Sequence, residues 1–156
     1  MKANIVQTNS GGLQRIIDRI SASSKKSLNV GVPEGKMHSD DGESLSMSAL
    51  ANIHEYGSPS RNIVARPFLV PALEKNQAKY AKFLASQVIP LIRGKTTIDR
   101  ILGQLGMVAQ ADVQAYMVSG HFVPLYYTTI KRKGSSKPLI DTGQLRQSIT
   151  YSIEGR

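Results

Sequence analysis

Two short segments of alternating polarity stand near opposite ends of this chain, and most of what lies between them has helical spacing. Residues 27–33, SLNVGVP, set Leu28, Val30 and Val32 against Ser27, Asn29 and Gly31, with Pro33 closing the run. Residues 149–154, ITYSIE, set Ile149, Tyr151 and Ile153 on one side. A period of two places each apolar set on one face of a strand, and a lone strand cannot satisfy its own backbone amides. The two segments match in length and pattern, so they are expected to be neighbours in a small sheet. The chain between them must then fold back over one face of that sheet.

The intervening segments supply helices to do so. Residues 12–22 place Leu13, Ile16, Ile17 and Ile20 in a single apolar stripe. A second short helix is expected over 46–56, with Ala49, Leu50 and Ile53 inward and Gly57 as its stop. The prolines of SPSRNIVARPF exclude helix there, because a residue preceding proline is pushed to extended backbone. Pro71 suits the first position of a long helix, continued by Leu73, Tyr80, Leu84, Val88 and Leu91 and ended by Pro90 and Gly94. Thr96 and Asp99 form a capping-box pattern for another long helix. Its stripe runs through Ile98, Ile101, Leu102, Leu105 and Ala109 to Tyr116 or Met117 before Gly120. Gly103 and Gly106 weaken that helix but would let another helix approach closely.

Two stretches resist a helical reading. Residues 34–44, EGKMHSDDGES, hold four acids, one lysine and turn residues throughout, and are expected to form an acidic loop. Residues 120–138 are too long for a structureless loop in a compact domain. They are expected to form a projecting hairpin, with FVPLYYTTI as one strand and KRKGSS at the tip. Together these elements predict one α+β domain over 1–156, a small antiparallel sheet packed against two long and two or three short helices, with a basic hairpin arm at 120–138. A chain of 156 residues can bury such a core unaided.

Composition narrows the chemistry. No cysteine is present, so thiol catalysis, Cys-ligated zinc and iron–sulfur clusters are excluded. No apolar run reaches the ~20 residues that span a bilayer, and MKANIVQTNS lacks the apolar stretch of a signal peptide, so assembly in a cytoplasm without membrane contact is expected. His38, His54 and His121 are far apart in sequence, and Asp40, Asp41 and Glu43 lack the alternating register of a calcium loop, so no metal or other cofactor is expected. The glycines of GQLG follow no strand, so no phosphate-binding fingerprint forms. Asp141-Thr142-Gly143 looks like an aspartic-protease tripeptide, yet that chemistry needs two carboxylates sharing a proton, and the tripeptide occurs once. The simpler reading is a helix start, with Asp141 or Thr142 as the cap, Gln144 at the third position answering it and Gly143 relieving crowding. No catalytic residue is expected, and the chain reads as a non-enzyme.

Charge points to partners. Lysine and arginine exceed acids by nine, which favours contact with a polyanion or an acidic surface. Lys131, Arg132, Lys133 and Lys137 concentrate in the arm beside Tyr126 and Tyr127, with no acid nearby. Four phosphate contacts give a salt slope of only about −3 to −4, weak for one copy but additive across a ring of copies around DNA.

Two segments carry a family resemblance. IHEYGSPSRNIVARPFLVPALEKN (53–76) resembles the N-E-[FY]-G … I-P-A-R-P-F-L-x-P-A-L segment of tail-completion or neck proteins of long-tailed bacteriophages and prophages, some of them labelled minor tail or virion morphogenesis proteins. KPLIDTGQLRQSITY (137–151) is similar to that family's P-L-x-D-T-G-x-L-R-x-S-I ending, and the order of the two agrees. By position, Glu55, Tyr56 and Gly57 match the first motif's helix end, Arg66, Pro67 and Phe68 its extended stretch, and Asp141, Thr142, Gly143, Leu145 and Arg146 the second motif. Val64 stands where the family usually has proline, and the acidic loop is a further departure.

The resemblance implies a non-catalytic ring, sixfold, at the junction between tail and DNA-filled head of a virion. Its partners would be other copies of the chain, the tail terminator or tail tube, the head–tail connector and, without sequence specificity, the genomic DNA. Arg66 and Arg146, beside apolar anchors, are expected in structural or subunit-interface pairs. Leu139 and Ile140 are expected to anchor the arm to the core. The runner-up is a stand-alone, non-specific DNA-binding module.

Overall fold

The computed structural model describes residues 10–35, 37–38, 45–127, 130–131, 138–139 and 143–155. It is an α+β fold, in the order α1 (Ser10–Ser24), β1 (Lys26–Gly31), β2 (Met37–His38), β3 (Leu45–Ser46), α2 (Met47–Tyr56), a 3-10 turn (Pro59–Arg61), α3 (Leu69–Lys75), α4 (Gln77–Ile92), α5 (Ile98–Ser119), α6 (Gln144–Ser148) and β4 (Thr150–Gly155). The two end segments do pair. β1 and β4 run antiparallel with Leu28 opposite Ile153 and Val30 opposite Tyr151, so one apolar face turns toward α5. Asn29 and Ser152, also opposite each other, face outward.

A two-stranded sheet is marginal alone, and α5 supplies what it lacks. Tyr151 lies so close to α5 that a Cβ on Gly106 would come within 2.3 Å of its ring, and one on Gly103 within 3.9 Å of its hydroxyl. The small residues expected to admit a helix therefore admit a tyrosine from a strand. Ile101, Leu102, Leu105, Ala109, Val113 and Met117 form the buried stripe of α5, in the expected register. The main core gathers Phe68 and Ala72 from the α3 region, Val113 and Met117 from α5, and Leu139, Leu145 and Ile149 from the C-terminal segment.

Helix boundaries depart from expectation where caps compete. Thr97, not Thr96, caps α5, its Oγ1 accepting from the Arg100 amide at 3.3 Å, and Asp99 pairs with Lys26. The long helix expected from Pro71 is two helices. It begins at Leu69, with Pro71 third, where the missing N–H still costs no intrahelical bond. It breaks at Asn76, whose side chain donates to the Ala72 carbonyl at 2.8 Å, the local competition that makes asparagine a helix interrupter. Part of the acidic loop is structured, since β2 and β3 pair as a small antiparallel ladder leading into α2.

Two corrections bear on the surface. The stripe of α1 is not buried: Leu13 is 64% exposed and Ile20 51%. Among the described residues of the expected arm, no strand forms either. Residues 121–126 are irregular, and the Ile130 amide donates to the Tyr126 carbonyl at 3.0 Å in a helical turn that takes in Tyr127 and Lys131. Pro124 removes a ladder donor there, and the i to i+4 bond is local, so it needs no partner strand.

Candidate functional site

The first motif folds into a clamp around two buried charged side chains. Ser46 caps α2 through its Oγ, and Gly57 ends it with φ +78°. A Cβ at Gly57 would sit 2.9 Å from the Ile63 carbonyl oxygen, so glycine is required by both conformation and space. Beyond it the chain turns through Pro59–Arg61 and returns, Ser58 bridging Ile63 and the Arg66 amide donating to the His54 carbonyl at 2.7 Å. The return brings the start of α3 against the end of α2.

Glu55 fills that junction. Its carboxylate accepts from the amides of Phe68 at 2.8 Å, Leu69 at 2.9 Å and Val70 at 3.0 Å. Phe68 occupies the cap position of α3 and has no side-chain oxygen, so Glu55 caps the helix from thirteen residues upstream. A carboxylate at a helix N-terminus satisfies orphan amides and complements the helix dipole. In its own helix Glu55 stands at the unfavourable end, and the second helix more than offsets that.

Arg66 performs the reciprocal task. It is buried, and its guanidinium donates to the carbonyls of Val123 at 2.9 Å, Pro124 at 3.2 Å and Val64 at 3.3 Å. It thereby pins the irregular segment after α5 to the extended stretch before α3. Phe122, in that segment, meets Tyr116 edge-to-face with ring centroids 5.7 Å apart. Phe68, 1% exposed, follows Arg66 and the exposed Pro67 into the core.

The second motif meets the first through packing. Leu139 is buried with φ +62°, a strained conformation for a branched residue, and it is retained by the core it fills. Gly143, at φ +78°, occupies the cap position of α6, so Gln144 is the first helical residue and not the third. Asp141 and Thr142, the expected caps, and Ile140 lie outside the described residues. Leu145 and Ile149 are buried in the shared core. Arg146 is half-buried, and its carbonyl accepts from the Gln114 side chain at 3.1 Å.

The candidate binding residues are divided. Tyr56 is exposed at the clamp, while Tyr126, Tyr127 and Lys131 are exposed together at the start of the arm. Arg132, Lys133 and Lys137 lie outside the described residues. Beside the clamp opens a cleft of about 340 Å³, floored by Phe68, Leu69 and Ile149 and rimmed by Glu34, Asn52 and Tyr56. The Glu55 carboxylate also lines it, but its oxygens are engaged by three amides. Among the described residues no three His, Asp or Glu side chains group as metal ligands, and no helix is long and apolar enough to cross a membrane.

One further cluster ties α4 to α5. Lys79 donates to both oxygens of Asp112 at 2.8 Å, and the Tyr80 hydroxyl donates to one of them at 2.9 Å. Burial, then the hydrogen bond to Asp112 and its charge, hold the Tyr80 hydroxyl well above the usual tyrosine range.

Sequence reasoning matched Glu55 to a motif without seeing its task. Two signals were available. Glu55 is the sole acid between Glu43 and Glu74, placed in a last helical turn where acids are disfavoured, and the next helix opens on Phe-Leu with no capping residue. Comparison with protein-family models, curated proteins and solved structures finds no match to this chain.

Proposed function

We propose that this chain is a structural subunit of a ring at the head–tail junction of a tailed bacteriophage, completing the tail and joining it to the head connector around the DNA channel. One observation carries the reading. The two segments that resemble neck proteins, distant in sequence, supply one scaffold: Glu55, Arg66 and Phe68 from the first and Leu139, Leu145 and Ile149 from the second. Its buried acid and base are both taken up by backbone groups, a supporting role that leaves neither for bond-making. The chain's excess of nine positive charges suits a passage for DNA, where copies arranged about an axis act together.

The test is genetic and visual. Deleting the chain from the phage or prophage that encodes it should leave filled heads and finished tails unjoined, and a label on it should mark the neck in particle images. Normally joined particles without it, or its absence from purified virions, would refute the proposal.

A stand-alone DNA-binding module is the second reading, favoured by the exposed Lys131 beside exposed Tyr126 and Tyr127. It requires the isolated monomer to bind duplex DNA at moderate salt, with affinity that falls steeply as salt rises and after the charges at 131–137 are removed.

A further inference from the structure

The α1–α4 side of the molecule combines two complementary apolar surfaces. On α1, Leu13, Ile17 and Ile20 form a stripe of large side chains that are 64%, 45% and 51% exposed. The helix meets the body by a different edge: Arg19 donates to the Ile92 carbonyl at the end of α4, and the half-buried Ile16 and Ser23 share its side. That edge lies about a quarter-turn from the stripe. On α4, a sixteen-residue helix with no buried residue, Ala78, Ala81, Ala85 and Val88 are exposed. Their spacing of three, four and three is that of a helix-pairing seam. Leu84 and Ile89 flank it, also exposed.

We propose that a second copy of this chain covers this side, the Leu13–Ile17–Ile20 stripe of one copy lying on the Ala78–Ala81–Ala85–Val88 seam of the other. The contact is reciprocal, so it joins copies in two-fold pairs, and the ring of the proposed function would close through a further surface.

Three features select a second copy. First, the sizes match: large knobs on α1 fit over alanines on α4, which allow helices to approach closely. Second, charge permits it. Two copies each carrying +9 repel, yet the α1 stripe is bordered by Gln14, Ser21 and Ser24, and of the two lysines on α4, Lys79 is engaged by Asp112. Third, the area is adequate. Leu13, Ile17, Ile20, Leu84, Val88 and Ile89 leave open roughly the surface of three aliphatic residues, about 500 Å², near the upper end for a monomer's largest apolar patch. With the alanines and a polar rim it approaches the ~800 Å² per partner of a standard interface.

The experiment uses the full chain in sedimentation at about 100 µM. Association is expected, and Ile17→Glu and Ala85→Glu should each weaken it at least about tenfold, whereas Val118→Glu, exposed elsewhere on α5, should not. All three sites are exposed, and circular dichroism checks that the variants fold. Because the chain has no cysteine, mixing Ile17→Cys with Ala85→Cys should give a reducible mixed dimer that neither variant forms alone. Association that survives both glutamates, or no mixed dimer, overturns this interface while leaving a ring built through another surface intact. A chain that remains monomeric also overturns it, and the particle experiment alone then decides the ring. Binding to vesicles of mixed neutral and anionic lipid, lost in Ile17→Glu without any self-association, would likewise overturn it in favour of a lipid surface.

Discussion

Replacing Glu55 by alanine removes the acceptor for three amides at once, those of Phe68, Leu69 and Val70. Each buried donor left without a partner costs about 1–3 kcal/mol. The three losses do not add fully, because the neighbouring cleft admits water to the vacated site. A net destabilisation of about 3 kcal/mol follows, and for a domain this size that lowers Tm by roughly 6–12 °C. Glu55→Gln keeps one acceptor oxygen but turns an NH2 toward amides that are themselves donors, so about half the loss is expected. Urea unfolding followed by circular dichroism measures both variants. Native-state hydrogen exchange at Phe68, Leu69 and Val70 locates the effect, since those amides should lose protection before the rest of the core. An alanine variant within ~0.5 kcal/mol of the parent would mean that Glu55 is not the cap of α3, and the account of the first motif would fall with it.

Other perturbations probe the remaining supports. Arg66→Lys keeps the charge but loses the planar fork that reaches three carbonyls, so a cost of about 1–3 kcal/mol is expected, with faster protease cleavage over 121–126; unchanged cleavage would contradict its pinning role. Gly106→Ala drives a methyl into the Tyr151 ring and should destabilise by about 1–3 kcal/mol, whereas Gly12→Ala, with nothing within 4 Å, should be neutral or stabilising by up to ~1 kcal/mol. Thermal melts compare the two, and equal effects would refute the close approach. Because the folded state holds the Tyr80 proton more tightly than the unfolded chain does, its contribution is complete below about pH 10 and declines as pH rises above that value. Tyr80→Phe should therefore flatten the alkaline loss of stability, and an unchanged slope above about pH 10 would argue against the Asp112 pairing.

The sheet partners, the stripe of α5 and the end of α2 were legible because each follows from a local period or a local stop. A period of two or of 3.6 states which side of an element is apolar whatever lies beyond it. It does not state what covers that side. Leu13, Ile17 and Ile20 satisfy the helical pattern fully, yet α1 meets the body through Arg19 and its neighbours. The break at Asn76 and the helical turn after Tyr126 depart from the sequence pattern because local hydrogen bonds there outcompete proline placement and apolar spacing.

Residue order alone determined the α+β class, the pairing of the two end strands, the buried stripe of α5 and the concentration of positive charge over 131–137. Only the tertiary structure decided that Glu55 caps a helix it does not belong to, that Arg66 holds three carbonyls, and that glycines in α5 receive a tyrosine. The physical reason is range. Propensity and periodicity act over a few residues, whereas a buried charge is satisfied by whatever backbone the fold brings to it, thirteen residues away for Glu55 and Phe68 and fifty-seven for Arg66 and Val123.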